Sequence, residues 1–345
     1  MTSPSQADLI AGNDTTDGES DPPKKRKPTS SDDLVGRSPG QLMWTRFKRD
    51  RTGVIAGCVV IFFFLIAALA PVIAKLYGKN PYTLYSQEDY TLLDEYGYPT
   101  GNAGGISGDF WFGIEPDMGR DIFTQLLYGM RTSLYTALVV AVLAALTGVI
   151  IGVTAGYMGG KVDYWLSRFT DFVMAFPSQL FLIAMTPVIT AIFVDPQKET
   201  PVHIRFFAIV GILWFLGWMG MARLVRSQTL SLREREYVDA ARVSGASSAR
   251  ILRKELLPNL QSTILIQASY MLPSAILTIA FASFVGVGFQ EPTPDWGRMF
   301  ATAGRIYEDN PMYMLFPGVA MVIFILAFNL FGDSVRDAID PKAGR

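Results

Sequence analysis

Six apolar runs set the terms on which this chain can fold. They occupy residues 54–74, 134–155, 172–194, 206–221, 264–287 and 312–331. Each reaches or approaches the roughly 20 residues that a helix needs to cross a bilayer. None shows the polar–apolar alternation of barrel strands. With no water in hydrocarbon to satisfy backbone groups, such runs must close their hydrogen bonds within helices. Half of the 345 residues are hydrophobic and 18% are charged, which fits the same class. The expected fold is an all-α integral membrane protein with six transmembrane helices.

Net charge is −1 and names no partner, but its distribution gives an orientation. With the N-terminus inside, 22 of the 30 lysines and arginines fall on that side of the six spans, as the positive-inside rule requires. Both termini are therefore expected in the cytoplasm of a multi-pass protein in a bacterial inner membrane. Residues 1–40 read as a disordered polar tail. Its PPKKRKP run (22–28) lies beside a span and reads as a lipid-attracted patch rather than a nucleic-acid site. The first apolar run starts too late and is too long for a cleavable leader. Residues 41–76 form the N-terminal segment and first span, 77–128 an extracytoplasmic cap rich in Gly, Pro and aromatic residues, 129–335 a five-helix core, and 336–345 a tail. Between the fifth and sixth spans, residues 290–311 read as a turn and a short outer helix.

What the chain lacks narrows its chemistry. The six apolar cores hold no Asp, Glu, Lys, Arg or His, whereas ion-driven carriers use intramembrane acids or histidines. Cys58 and His203 are the single cysteine and histidine. Cys58 lies within the first span and His203 in an outer loop, so neither supports a metal site or a catalytic constellation. The nearest approach to a phosphate-binding loop, GYMGGKV (156–162), lacks the required spacing and hydroxyl. No catalytic residue, metal or resident cofactor is expected. Uphill transport would need energy from a partner.

Gly148, Gly152, Gly156 and Gly160 recur every fourth residue and are expected to form one smooth face, either for tight packing or as a sliding surface. The polar stretch 223–260 is expected in the cytoplasm as a helical hairpin. Glu236 and Asp239 sit in a first turn, where carboxylates suit the helix dipole. Tyr237, Ala240, Ala241 and Ser244 share helical spacing, and Gly245 permits the chain to turn away. A second helix is expected over 248–257, ahead of Pro258 and Asn259. In the fifth span Gln267, Ser269 and Ser274 are polar positions that could line a pathway or bond between helices.

The order EYVDAARVSGASSARILRKELLPN (236–259) closely resembles the EAA signature, EAA-x3-G-x9-I-x-LP, of ABC-importer permeases. Its longer form resembles the C-type subunit of the dipeptide/oligopeptide/nickel branch. The segments GRDIFTQLLYGMRTSL (119–134), AGYMGGKVD (155–163), ASFVGVGFQEPTPDWG (282–297) and FNLFGDSVRDAIDP (328–341) agree, so the resemblance runs from about residue 42 to 341. It departs at Asp239, where the signature has Glu, at Glu255, where it has Ile, around 113–115, and in an expanded 85–107.

The resemblance implies a type I importer permease bundle whose cytoplasmic hairpin is the coupling helix. Glu236, Tyr237, Asp239, Ala240, Ala241 and Gly245 would dock an ATPase subunit, and Pro258 and Asn259 would set the joint to the fifth span. It also implies a homologous second permease, two ATPases holding ATP and Mg, and an extracytoplasmic solute-binding protein delivering a di- or oligopeptide. A nickel chelate or another small solute belongs to the same branch. An ATP-independent carrier and a signalling scaffold are the rival classes. The first predicts flux from the chain alone, the second partner binding without uptake.

Overall fold

The computed structural model describes residues 39–101, 103–195, 197–308 and 310–339. The expected tails, with the 22–28 run, lie outside the described residues except for Pro39 and Gly40 and for residues 336–339, which belong to the last helix rather than to a tail. Pro39 and Gly40 open a first helix, α1 (Pro39–Arg49). Then come α2 (Arg51–Tyr77), α3 (Ile122–Met158), α4 (Gly160–Met174), α5 (Ser178–Phe193), α6 (Val202–Gly217) and α7 (Met219–Arg233). The hairpin follows as α8 (Glu236–Val243) and α9 (Ser248–Ile251), succeeded by α10 (Leu257–Phe284), α11 (Trp296–Ile306) and α12 (Pro311–Ile339).

Among the described residues, five apolar helical stretches are long enough to cross a membrane: α2, α3, α6 with α7, α9 with α10, and α12. The third expected span, 172–194, is not one helix. It is divided between α4 and α5, which meet at an angle of 82°. Pro177 explains the break, because it has no N–H to continue the ladder and its ring disfavours helical backbone at Phe176. Pro177 itself is extended, at φ −62° and ψ 111°. What remains of the span is α5, about 24 Å long. Counting the bent pair as one crossing gives six.

The ends of the bundle differ in kind. At the end opposite the hairpin, α3 begins early, at Ile122, inside the segment expected as cap. Asp121 caps it by accepting from Thr124 N at 2.7 Å, and Tyr77 Oη donates to the same carboxylate at 3.2 Å. Close by, Arg120 donates through Nε to Glu115 at 2.6 Å and through both terminal nitrogens to Glu291 at 2.6 and 2.9 Å. Arg298 also pairs with Glu291 and donates to Gln125 Oε1 at 2.6 Å, while Tyr313 Oη donates to Glu115 at 3.0 Å. Glu115, Arg120 and Arg298 are buried and Glu291 is half-exposed. Burial holds the Arg298 guanidinium below its ordinary pKa. Two anions and two cations balance, and that balance makes burial tolerable.

Asp295 completes this knot. Fully buried, it caps α11 by accepting from Arg298 N at 3.2 Å and accepts from Ser133 Oγ at 2.8 Å. Desolvation pushes its carboxyl up, opposed by those hydrogen bonds. The knot thus joins the start of α3 to the turn before α11, which were expected as separate features. The sequence's short outer helix is α11.

At the hairpin end, α2 begins with Gly53 against Ser334 of α12, and Gly57 packs on Phe331. Ile339, the last residue of α12, therefore lies at that end. Replacing Arg120 with Met should cost about 3–5 kcal/mol, because Glu115 would stay buried without its cation. Glu291→Gln should cost less, since that carboxylate is half in solvent. Thermal unfolding of the purified protein in detergent would compare them. Equal, small shifts would mean that the knot is not holding this end.

Candidate functional site

The hairpin is bare on the outside and firmly seated underneath. Val238, Ile251, Leu256 and Leu260 are buried and pack with Val153 of α3 and with Met221 and Val225 of α7. This apolar anchor is what sequence spacing missed. Its hairpin members are spread over α8, α9, the turn at Leu252–Leu256 and the start of α10, so no single stretch shows a period. Glu236, Tyr237, Asp239, Ala240 and Ser244 are exposed. Ala241, expected on the same face, leans onto the anchor instead. Asp239 accepts from Arg242 at 2.8 Å on the surface. Val243, an apolar side chain 89% exposed, stands at the tip.

Gly245 ends α8 in a Schellman arrangement. Its N–H donates to Arg242 O at 3.0 Å and that of Ala246 to Ala241 O at 3.0 Å. Its φ of +80° is a region that other residues avoid. A β-carbon there would meet nothing within 4 Å, so glycine is required by the backbone and not by packing in this chain. The expected second helix, 248–257, is not a separate element. Only Ser248–Ile251 is α-helical, and a π-helical turn over Leu252–Leu256 leads straight into α10. Pro258 stands in the first turn of α10, where a missing N–H costs little. Asn259 folds back, its Nδ2 donating to Glu255 O at 2.6 Å. The joint to the fifth span is thus a wide helical turn.

Polar ties hold the hairpin's approach. Arg233 donates to Gly156 O at 3.1 Å. Arg226 grips Asp163 with both Nε and Nη2, the latter at 2.7 Å, and Arg223 reaches Asp171 at 2.9 Å.

Three of the four patterned glycines make the contact on which this end rests. A β-carbon at Gly148 would stand 2.6 Å from Met221 Cβ. At Gly152 it would stand 2.6 Å from Ala222 O, and at Gly156 2.6 Å from Thr229 Cβ. These glycines let α3 and α7 approach to near backbone contact. Gly160 does not share the face: α3 stops at Met158, and a β-carbon at Gly160 would meet nothing within 4 Å.

Midway along the bundle, a cavity of about 360 Å³ opens between α3, α5, α6 and α10. Gln267 and Ser274 line it together with Tyr270 and Thr278 of the same helix and Ser178 of α5. Ser269, the third expected pathway residue, is on the other side of α10. It lies against Gly332 of α12 and donates to Ile266 O at 2.7 Å. Helical spacing would have found Tyr270 and Thr278, three and eleven residues beyond Gln267. The cavity wall carries hydroxyls, an amide and apolar groups, with no charge among its lining residues. Among the described residues no cluster of side chains is suited to a metal.

Comparison with known proteins gives a consistent result. Residues 148–345 match the family described as binding-protein-dependent transport system inner membrane component. Residues 38–95 match the N-terminal transmembrane domain of oligopeptide transport permease C. The dipeptide transport system permease protein DppC of Alkalihalophilus pseudofirmus is 33% identical, over 93% of this chain and 95% of its own length. The oligopeptide transport system permease protein OppC of Escherichia coli is 33% identical, over 90% and 93%. The glutathione transport system permease protein GsiD of Pectobacterium atrosepticum is 34% identical, over 89% and 92%. In fold, the chain is similar to one from an inward-facing structure of the methionine ABC transporter MetNI, with a TM-score of 0.51 and 21% identity, covering 63% of this chain and 96% of that one.

The α3–α7 contact is open to a direct test. Gly152→Val must displace backbone and should destabilise the protein by about 1–3 kcal/mol or more. Gly220→Ala, with open space around it, should be neutral. Melting curves for the two variants should separate by several degrees. Coincident curves would mean that α3 and α7 are not packed this closely.

Proposed function

The chain belongs to the family of binding-protein-dependent inner-membrane permeases, as a subunit of the OppC/DppC type from peptide ABC importers, and from that premise we propose that it forms half of a translocation pathway for di- or oligopeptides that works by alternating access. It is a multi-pass inner-membrane protein and a non-catalytic component, with ATP bound by separate ATPase subunits. The finer assignments are our reading. A homologous permease supplies the other half of the pathway, and an extracytoplasmic binding protein delivers the peptide. The hairpin end and both termini face the cytoplasm, where the lysines and arginines concentrate.

One observation carries the mechanism. The second arm of the hairpin, α9, and the cavity wall are parts of a single helical run, Ser248–Phe284, and α8 is seated against that arm through the buried Val238 and Ile251. An ATPase pressing on the exposed face of α8 loads a segment pinned by Val238 and Ile251. That load passes through the π-helical turn into α10, which carries Gln267, Tyr270, Ser274 and Thr278. ATP binding and hydrolysis then bias a two-state bundle through differential contact with the hairpin. A wall of amide and hydroxyl groups can hydrogen-bond a peptide backbone without selecting side-chain charge. Selection among peptides then belongs to the delivering protein. The comparable identities to dipeptide, oligopeptide and glutathione permeases support small peptides as the substrate class.

Gly245→Asp tests the coupling. Aspartate is one of the few residues that adopt a left-handed backbone at modest cost, and the open space around position 245 leaves room for its side chain, so the variant should still insert while a charge projects towards the ATPase. Uptake of a labelled dipeptide by the assembled importer should fall about tenfold or more, within the range of ordinary coupling energies, with membrane abundance unchanged. Ser274→Trp should block uptake by filling the cavity, yet leave the ATPases bound. Undiminished uptake by Gly245→Asp would remove the hairpin from the mechanism, and undiminished uptake by Ser274→Trp would remove the cavity.

A further inference from the structure

Helix α1 takes no part in the mechanism above, and its chemistry differs from that of the spans. Its sequence, PGQLMWTRFKR, has three basic residues in the last turn, Arg46, Lys48 and Arg49, and no acid. At about 16 Å it is too short to cross a bilayer. A single extended residue, Asp50 (φ −83°, ψ 102°), ends it and redirects the chain. The Asp50 carboxylate is committed to the start of α2, accepting from Thr52 N at 3.1 Å and Gly53 N at 3.2 Å. Since α2 is a membrane span, α1 is held where the chain leaves the hydrocarbon.

Helical spacing places Met43, Trp44 and Phe47 on one stripe, with Arg46 along one edge and Lys48 along the other. Phe47 turns part of that stripe onto the protein, its ring meeting Phe331 edge-on at 5.9 Å. The rest stays uncovered. Trp44 is 55% exposed and Met43 36%. Trp44 stacks on Phe47 at 5.9 Å, and the Lys48 ammonium lies 5.1 Å from its ring centre. Arg51, the next residue after the cap, adds another exposed cation.

We infer that α1 is an interfacial anchor that lies in the headgroup layer and binds anionic phospholipid. Two independent features name the occupant. The junction with α2 fixes the helix at the depth of the headgroups, where an apolar stripe with a tryptophan is stable in the plane of the membrane. The cations border that stripe, so their heads reach lipid phosphates while their stems and the indole stay in the acyl boundary. The inference rests on membrane insertion alone and is independent of the substrate.

The test uses the full-length chain carrying Cys58→Ser and Met43→Cys, with a nitroxide at position 43. It is reconstituted in vesicles of phosphatidylcholine and of phosphatidylcholine with phosphatidylglycerol. The label should be accessible to oxygen and shielded from an aqueous relaxant in both, and seated deeper in the anionic vesicles. The combined change Lys48→Gln, Arg49→Gln and Arg51→Gln should lower the preference for co-purifying phosphatidylglycerol over phosphatidylcholine by on the order of tenfold, read by native mass spectrometry. A water-exposed label in both vesicles, or an unchanged lipid preference, would overturn the inference. So would a label immobilised and shielded from both relaxants in the assembled importer, because α1 would then be covered by another subunit.

Discussion

The near-contact of α3 and α7 through Gly148, Gly152 and Gly156 is the interaction on which the other placements depend. In lipid there is little hydrophobic drive to bring helices together, so van der Waals contact along closely approaching backbones does that work. Once α7 is pressed against α3, Met221 and Val225 are in position to receive Val238 and Ile251, and the hairpin acquires its seat. Arg233 reaches Gly156 O from the same approach. A bulkier residue at any of the three positions would move α7 and the whole hairpin with it.

The opposite end is held by a different force. There α3 projects beyond the apolar stretch that sequence assigns to it, and its early turns enter a network of buried charge. Glu115, Arg120, Glu291 and Arg298 would each be costly alone. Together they neutralise one another and tie three distant pieces of chain, around 115–125, 291–298 and 313. Such a network is demanding in geometry, and it holds the starts of α3, α11 and α12 in one arrangement. The bundle is therefore pinned by electrostatics at one end and by backbone proximity at the other. The uncharged cavity lies between the two.

The continuity of α9 with α10 gives the arrangement a mechanical reading that two separate helices would not. A flexible joint at Pro258 would absorb a push from outside. The π-helical turn carries the backbone from α9 into α10 without a break, and Asn259 donates to Glu255 O at its end. The segment expected as a hairpin plus a span is α8 followed by one helical run, with α9 at one end of that run and the cavity-lining residues farther along it.

Much of this protein was determined by the sequence alone. Its apolar runs require membrane helices because an unpaired backbone cannot exist in hydrocarbon, and the placing of its lysines and arginines gives an orientation. The ordered motif from Asp239 to Pro258 identifies the hairpin, and Gly245 is legible because a turn out of α8 needs positive φ. Tertiary structure decided the rest, for reasons local pattern does not carry. Hydropathy reads composition and not direction, so the 82° bend at Pro177 looked like one span. A four-residue glycine repeat does not say where its helix stops, so Gly160 was counted with a face it never joins. Polar residues in a span point to either a cavity or a neighbour, and only packing sent Gln267 and Ser274 one way and Ser269 the other. The buried ion knot was equally unreadable, because Arg120 and Glu291 become partners only when 171 residues of chain fold them together.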